Sequence, residues 1–194
     1  MTTITGTYVP SPSAWVRKQV ETIEETGTTG SVDIQGRPVV LLTMNGVTGS
    51  VRKVPLMRVE HDGVYAAVAS KGGAPDHPKW YANLRKNPVL ELQDGTRTWV
   101  ARARELDGDE REQWWERCVE AFPPYAEYQV KTDRLIPVLL LEPAAPAGSP
   151  ACRWRCRRSS CCVRSLPSSS IIPTAATSAS AAPSPPSRDR RGRS

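Results

Sequence analysis

Apolar residues recur with two periods along the first 145 positions, one helical and one of strand type. In "SAWVRKQVETIEET", residues 13–26, Trp15, Val16, Val20 and Ile23 fall near one helical face with charges opposite, and Gly27 and Gly30 end the helix. "PVVLLTM" (38–44) is an apolar run of strand length, followed by the glycine-bearing loop "NGVTGSVRK". "VPLMRVE" and "VYAAVAS" predict two more strands, joined by a tight turn at His61-Asp62-Gly63. The next stretch, "VASKGGAPDHPKWYANLRKNP" (68–88), breaks from an apolar run into lysine and two glycines. It resumes as a short helix from Pro78 to Asn87, with proline at the first turn and a stop before Pro88.

"VLELQ" and "TWVARARELD" predict a hairpin around Asp94-Gly95, whose second strand sets Trp99, Ala101 and Ala103 opposite Val100, Arg102 and Arg104. "GDEREQWWERCVEAF" reads as a helix capped at Asp107 or Asp109 and stopped by Pro123-Pro124. Of its adjacent Trp114 and Trp115, only one can pack inward. "LIPVLLLE" supplies a closing strand. Aspartate-glycine hairpins between successive strands imply antiparallel pairing, and so few helices among about six strands suit a doubly wound parallel sheet poorly. The expected fold is α+β, mainly antiparallel β: a barrel with helices at its periphery.

Charge changes the picture at the C-terminal end. The net +6 is unevenly spread: residues 1–145 carry −2, and residues 146–194, with nine arginines and one aspartate, carry +8. The folded part is near neutral, so no nucleic-acid partner is expected. The expected organisation is a flexible N-terminus (1–12), one domain (13–145) and a disordered Ser/Ala/Pro/Arg-rich tail (146–194). The abrupt change after "VLLLEPA" resembles an out-of-frame reading of a GC-rich coding sequence, which resequencing the 3′ end checks. Cys152, Cys156, Cys161 and Cys162 of the tail form no Cys-x-x-Cys pair and have no histidine nearby, so no metal site is expected. Cys118 stands alone in the domain, which leaves no disulfide framework. The first residues lack a basic-then-apolar leader, and no apolar run approaches the ~18 residues of a membrane span. The expectation is a soluble, cytoplasmic protein.

The usual catalytic sets are missing. His61 lies in a hairpin turn and His77 precedes a proline, so neither suits a triad base. Gly46-Val47-Thr48-Gly49 is neither a Walker A loop nor a Rossmann fingerprint. What stands out is a constellation: the Gly/Thr loop leading to Arg52-Lys53, the strand end Ser70-Lys71-Gly72-Gly73, and the helix carrying Lys79, Trp80, Tyr81 and Asn83. Glycines let a ligand approach the backbone, and N–H groups beside lysine and arginine suit an anion. In "FPPYAEYQ", Tyr125 and Tyr128 are three apart and share a face if helical. The pattern points to a phosphate-bearing aromatic cofactor, although solvated loop charges and core aromatics would produce it too.

"PVVLLTMNG", "TGSVRKVPLMRVEHDGVYAAVASKGGAPDHPKWYANLRKNPVLELQDG" and "ARARELDGDEREQWWERCVEAFPPYAEYQVKTDRLIPVLLLEP" together resemble the deazaflavin-dependent nitroreductase family of actinobacteria, over about residues 13–143. The resemblance implies a split β-barrel related to the flavin mononucleotide-binding barrels, with the 8-hydroxy-5-deazaflavin coenzyme F420 as cofactor. It implies hydride transfer from the reduced coenzyme to a small-molecule acceptor: a quinone, a nitroaromatic or an activated enone. By position, Thr48, Gly49, Arg52, Lys53, Val54, Pro55, Leu56 and Met57 would hold the phosphate tail and one side of the ring. Val68, Ala69, Ser70 and Lys71 would line ring and tail, and Lys79, Trp80, Tyr81, Ala82 and Asn83 would complete the groove. Tyr125 would sit over the site, with Tyr128 and Ser70 near the acceptor, where a tyrosine hydroxyl can donate a proton or hydrogen bond.

One departure is the loop "GVTGS", a residue shorter than the family's pattern and without its basic residues. That implies a weaker hold on the anionic tail. The alternatives are a flavin mononucleotide (FMN) enzyme of related fold, a non-catalytic deazaflavin carrier and a tail-driven nucleic-acid binder. A homodimer and peripheral membrane association stay open.

Overall fold

The computed structural model describes residues 4–144; the tail, its cysteines and its reading as disordered lie outside the described residues. Helix α1 (Ala14–Thr26) and a one-turn 3-10 segment (Thr29–Ser31) precede β1 (Asp33–Ile34), β2 (Arg37–Asn45), β3 (Val51–Met57), β4 (Glu60–His61) and β5 (Val64–Val68). A second 3-10 turn (Lys71–Gly73) leads to α2 (Lys79–Lys86), β6 (Val89–Asp94) and β7 (Arg97–Glu105). Helices α3 (Gly108–Ala121) and α4 (Pro124–Val130) and strand β8 (Val138–Pro143) follow. All strand pairs are antiparallel, in the order β1-β2-β6-β7-β8-β5-β4, with β3 also paired to β2. The hairpin chemistry thus yields an antiparallel half-barrel with helices, a split barrel.

Strand alternation builds two cores. Val40, Leu42 and Met44 of β2, Ala67 of β5 and Leu139 and Leu141 of β8 pack on one face, sealed by Trp80, Tyr81 and Leu84 of α2. The intervening Ala66, Val68, Val138 and Leu140 face the other way, under Trp114 and Cys118 of α3 and Tyr125 of α4. Leu41 of β2 meets Val20 and Ile23 of α1. Strands β5 and β8 are therefore covered on both faces, which is why "VYAAV" and "IPVLLL" read as continuous apolar runs.

Several local expectations are corrected. Trp15 lies about 100° before Val16 around the helix, off the stripe of Val16, Val20 and Ile23, and it is half-exposed. "VPLMRVE" is two strands: β3 runs beside β2, the chain crosses over at Arg58-Val59, and β4 pairs with β5. Pro78 caps α2 instead of entering it. Beyond the named strands, residues 7–9 pair with the edge of β3: Val51 N–H donates to Thr7 O (2.9 Å) and Val9 N–H donates to Val51 O (3.0 Å). An edge strand's unpaired groups recruit whatever backbone lies alongside. Other expectations hold. Asp62 and Gly63 take φ of 52° and 78°, as a two-residue hairpin requires. Trp114 is buried and Trp115 half-buried.

Candidate cofactor-binding site

β5 ends at Val68, and Ala69 N–H donates to Pro137 O (2.9 Å), carrying the contact with β8's entry one residue further. The chain then folds back through Lys71, Gly72 and Gly73, with φ of 48°, 67° and 81°. A lysine in this left-handed region carries roughly 1–2 kcal/mol of strain, of the kind that gathers at binding sites. Gly73 is buried against α4, where a Cβ would lie 2.8 Å from Tyr128 O. Gly72 faces open space. The turn is packed on one side and open on the other. On the open side Lys71 is exposed, its ammonium 4.0 Å from the Asp76 carboxylate, and exposed Lys79 begins α2.

Behind the turn stands Arg134, which the sequence pattern does not single out. Its Nη2 donates to Ser70 O (2.8 Å) and Ala69 O (3.1 Å), and its Nε donates to Ala74 O (2.9 Å). Its Nη1 lies 3.2 Å from His77 Nδ1, and the His77 ring stacks on Tyr81 with centroids 4.8 Å apart. A single arginine in "KTDRLIP" has no spacing signal; tertiary structure brings it to residues some 60 positions away.

The other predicted residues divide between faces. Pairing along β3 sets Arg52, Val54 and Leu56 on the side of Met44, Leu42 and Val40, where Val54 and Leu56 pack on the core sealed by α2. Lys53, Pro55 and Met57 take the other side, where Lys53 is ion-paired with Glu24 of α1 and Met57 shares a core with Val68 and Tyr125. Successive strand residues alternate, so the run 52–57 cannot line one wall. Arg52 donates to Val9 O (3.2 Å) and Pro10 O (3.3 Å). Both cations expected on the phosphate tail thus have partners within the chain.

Thr48 and Gly49 lie on an exposed loop stitched to α2: Val47 N–H donates to Asn83 Oδ1 (3.1 Å), and Lys86 Nζ donates to Val47 O (3.0 Å). Asn83, expected in the groove, is thus bonded to this loop. Trp80 and Tyr81 are buried in the sheet's core, with the Tyr81 hydroxyl donating to Glu105 (2.7 Å), and Ala82 is exposed.

The segment bearing the two tyrosines is helical: Pro123-Pro124 ends α3 and suits the first turn of a new helix, α4. Tyr125 and Tyr128 lie side by side, ring centroids 6.3 Å apart and steeply inclined at 70°. Tyr125 is buried, 6% exposed and edge-on to Phe122 at 5.0 Å. Burial holds its phenol far above the ordinary range. Tyr128 is half-buried, and its backbone is what meets Gly73. Ser70 is buried where the strand gives way to the turn.

Exposed lysines beside an open glycine turn fit a cofactor with a flat ring and a tail bearing phosphate and carboxylate groups. A cavity of about 350 Å³ opens elsewhere, between Arg58–His61 and the end of α3, and none of the predicted residues lines it. No described helix is long and apolar enough to cross a membrane.

The family model for F420H(2)-dependent quinone reductase matches residues 15–143. An F420H(2)-dependent quinone reductase of Mycobacterium tuberculosis (strain H37Rv) is 34% identical over 122 residues, covering 59% of this chain and 82% of that protein. A solved F420-H2 dependent reductase is 57% identical, with a TM-score of 0.53, and covers 57% of this chain and 99% of its own. A second solved chain, described as a domain-swapped dimer, is also 57% identical, with a TM-score of 0.55, covering 68% of this chain and 100% of its own. The match runs from α1 to β8 and takes in the half-barrel, the lysine-glycine turn and both tyrosines of α4. The chain therefore belongs to the F420H(2)-dependent quinone reductase family, oxidoreductases whose cofactor is coenzyme F420.

Proposed function

We propose that this protein passes a hydride from reduced coenzyme F420 to a quinone, at a site formed by the Ser70–Gly73 turn and α4. The observation that carries this reading is the contact between the two: Gly73 packs on Tyr128 while Lys71 and Gly72 face outward. The mycobacterial relative named for quinone reduction supports the choice of acceptor.

Bound coenzyme F420 supplies the hydride; orientation, water exclusion and proton handling fall to the protein. Lys71 and Lys79 would hold the anionic tail through charge-assisted hydrogen bonds. Gly72, without a side chain, would let the ring come close to the backbone. Tyr128 donates a hydrogen bond to the acceptor oxygen as negative charge develops there, and Tyr125 buttresses it from the core. Nitroaromatics and activated enones also gather negative charge on oxygen, which makes them secondary acceptors of the same site. The relative described as a domain-swapped dimer supports a homodimer.

The test is a titration by tryptophan fluorescence with oxidised coenzyme F420 and with FMN, followed by mixing the reduced coenzyme with a quinone. Saturable quenching by coenzyme F420, weak quenching by FMN and quinone-dependent oxidation are the expected results. Tighter binding of FMN would make this a flavin enzyme. Binding of coenzyme F420 with no oxidation by any acceptor class would make it a carrier.

A further inference from the structure

Among the described residues, Arg134 is the one side chain hydrogen-bonded to both ends of the turn. Three backbone oxygens, those of Ala69, Ser70 and Ala74, accept from its guanidinium within 2.8–3.1 Å. These oxygens bracket Lys71, the strained residue, and Gly72, the open one. Arg134 is itself held in place. Gln129 of α4 donates from Nε2 to Arg134 O (2.9 Å), and its Oε1 accepts from Ile136 N–H (2.9 Å). The chain of contacts therefore runs from α4, through Gln129 and Arg134, to the turn, and Gly73 closes it by packing on Tyr128.

We infer that Arg134 is a positioning residue: its guanidinium fork sets the Ser70–Ala74 turn against α4, and so places Lys71 relative to Tyr128. The inference rests on the cofactor-site reading above. A planar fork with donors on several nitrogens can satisfy three diverging carbonyls at once, which a lysine ammonium on a flexible stem cannot do with the same fixed geometry. Without the fork, the Ala69 and Ala74 carbonyls lose this partner, Ser70 O is left with the Gly73 N–H, and the left-handed Lys71 has less to hold it.

The experiment compares wild type, Arg134→Lys, Lys71→Ala and the double variant. Amide hydrogen exchange across 69–77 is read on the cofactor-free proteins, and dissociation constants for coenzyme F420 are measured by fluorescence. The wild-type Gly73 and Ala74 amides, which donate to Ser70 O (3.0 Å) and Lys71 O (3.3 Å), should be protected. Arg134→Lys should melt cooperatively while those amides exchange about tenfold faster or more. Its coenzyme F420 dissociation constant should rise about tenfold, and adding Lys71→Ala should weaken binding by no more than about twofold beyond the worse single variant, because both act on one contact. A general loss of stability would instead leave the two effects multiplicative.

Unprotected Gly73 and Ala74 amides in wild type overturn the inference, whether or not any variant folds. So does Arg134→Lys with exchange and binding like wild type, or a double variant whose losses multiply. If wild type itself binds no coenzyme F420, the proposed function falls, and the exchange comparison alone still decides whether Arg134 sets the turn.

Discussion

Gly73 and the backbone of Tyr128 are in direct contact: a Cβ on Gly73 would stand 2.8 Å from the Tyr128 carbonyl oxygen. Gly73 also has a φ of 81°, so both its conformation and its surroundings exclude a side chain. This contact joins the lysine-glycine turn to the tyrosine helix.

Gly73→Ala should therefore cost about 1–3 kcal/mol of stability, from left-handed strain plus overpacking against backbone that cannot step aside. Gly72→Ala meets nothing within 4 Å and carries only the conformational part. Urea unfolding of the two variants measures the difference. Equal midpoints would mean that α4 yields to the new methyl group.

Lys71→Ala should raise the dissociation constant for coenzyme F420 about fivefold at low salt, the effect of one partly exposed charge-assisted bond. The difference should shrink as salt is added, since exposed charges are screened. Titrations at two ionic strengths check both statements, and an unchanged constant at low salt removes Lys71 from the site.

Tyr128→Phe should slow single-turnover oxidation of the reduced coenzyme by a quinone about tenfold to a hundredfold, the lower range for a positioned proton donor. Tyr125→Phe keeps the ring that packs on Phe122 and should change the rate by less than about threefold. Rates at saturating cofactor decide between them. The opposite ranking would return Tyr125 to the place over the cofactor that the family resemblance implies.

Alkaline pH should destabilise the fold. The Tyr65 hydroxyl donates to Asp94 Oδ2 (2.7 Å), the same oxygen that accepts from Arg58 Nε (2.8 Å). Burial, reinforced by the bond to Asp94, pushes the Tyr65 phenol up to about 12, and burial pushes the Cys118 thiol up to about 12. The unfolded chain releases these protons nearer 10 and 9, so the stability they contribute is intact below that range and is lost as pH rises toward 12. Tyr65→Phe should lower stability at pH 7 by about 1 kcal/mol, the worth of one hydrogen bond, and flatten the alkaline decline. Thermal melts from neutral to alkaline pH test this, and an unchanged decline would show that Tyr65 does not titrate there.

Much of the architecture was legible in the sequence because it depends on near neighbours along the chain. The Asp62-Gly63 and Asp94-Gly95 turns fold back locally, so the hairpins and the antiparallel sheet could be read before any contact was known. The stripe of Val16, Val20 and Ile23 marked α1, and Pro123-Pro124 marked the boundary between α3 and α4. The lysine-glycine break at 70–73 could likewise be recognised as a departure from strand structure, since three left-handed residues leave a compositional trace.

By itself, then, the sequence determined most of the elements, their antiparallel pairing and a short list of candidate site residues. Tertiary structure alone decided which face each of those residues took and which partner it found. An apolar pattern reports burial but not against which face: Trp80 of α2 and Tyr125 of α4 were buried on opposite sides of one sheet. Charge was still less legible, because an ion's partner is chosen in space. Lys53 found Glu24, Arg52 found the carbonyls of Val9 and Pro10, and Lys71 stayed exposed. Arg134 left no local mark at all. Its three acceptors converge only once β5 and β8 have paired and α4 has docked on Gly73, because the geometry a guanidinium needs exists only in the folded chain.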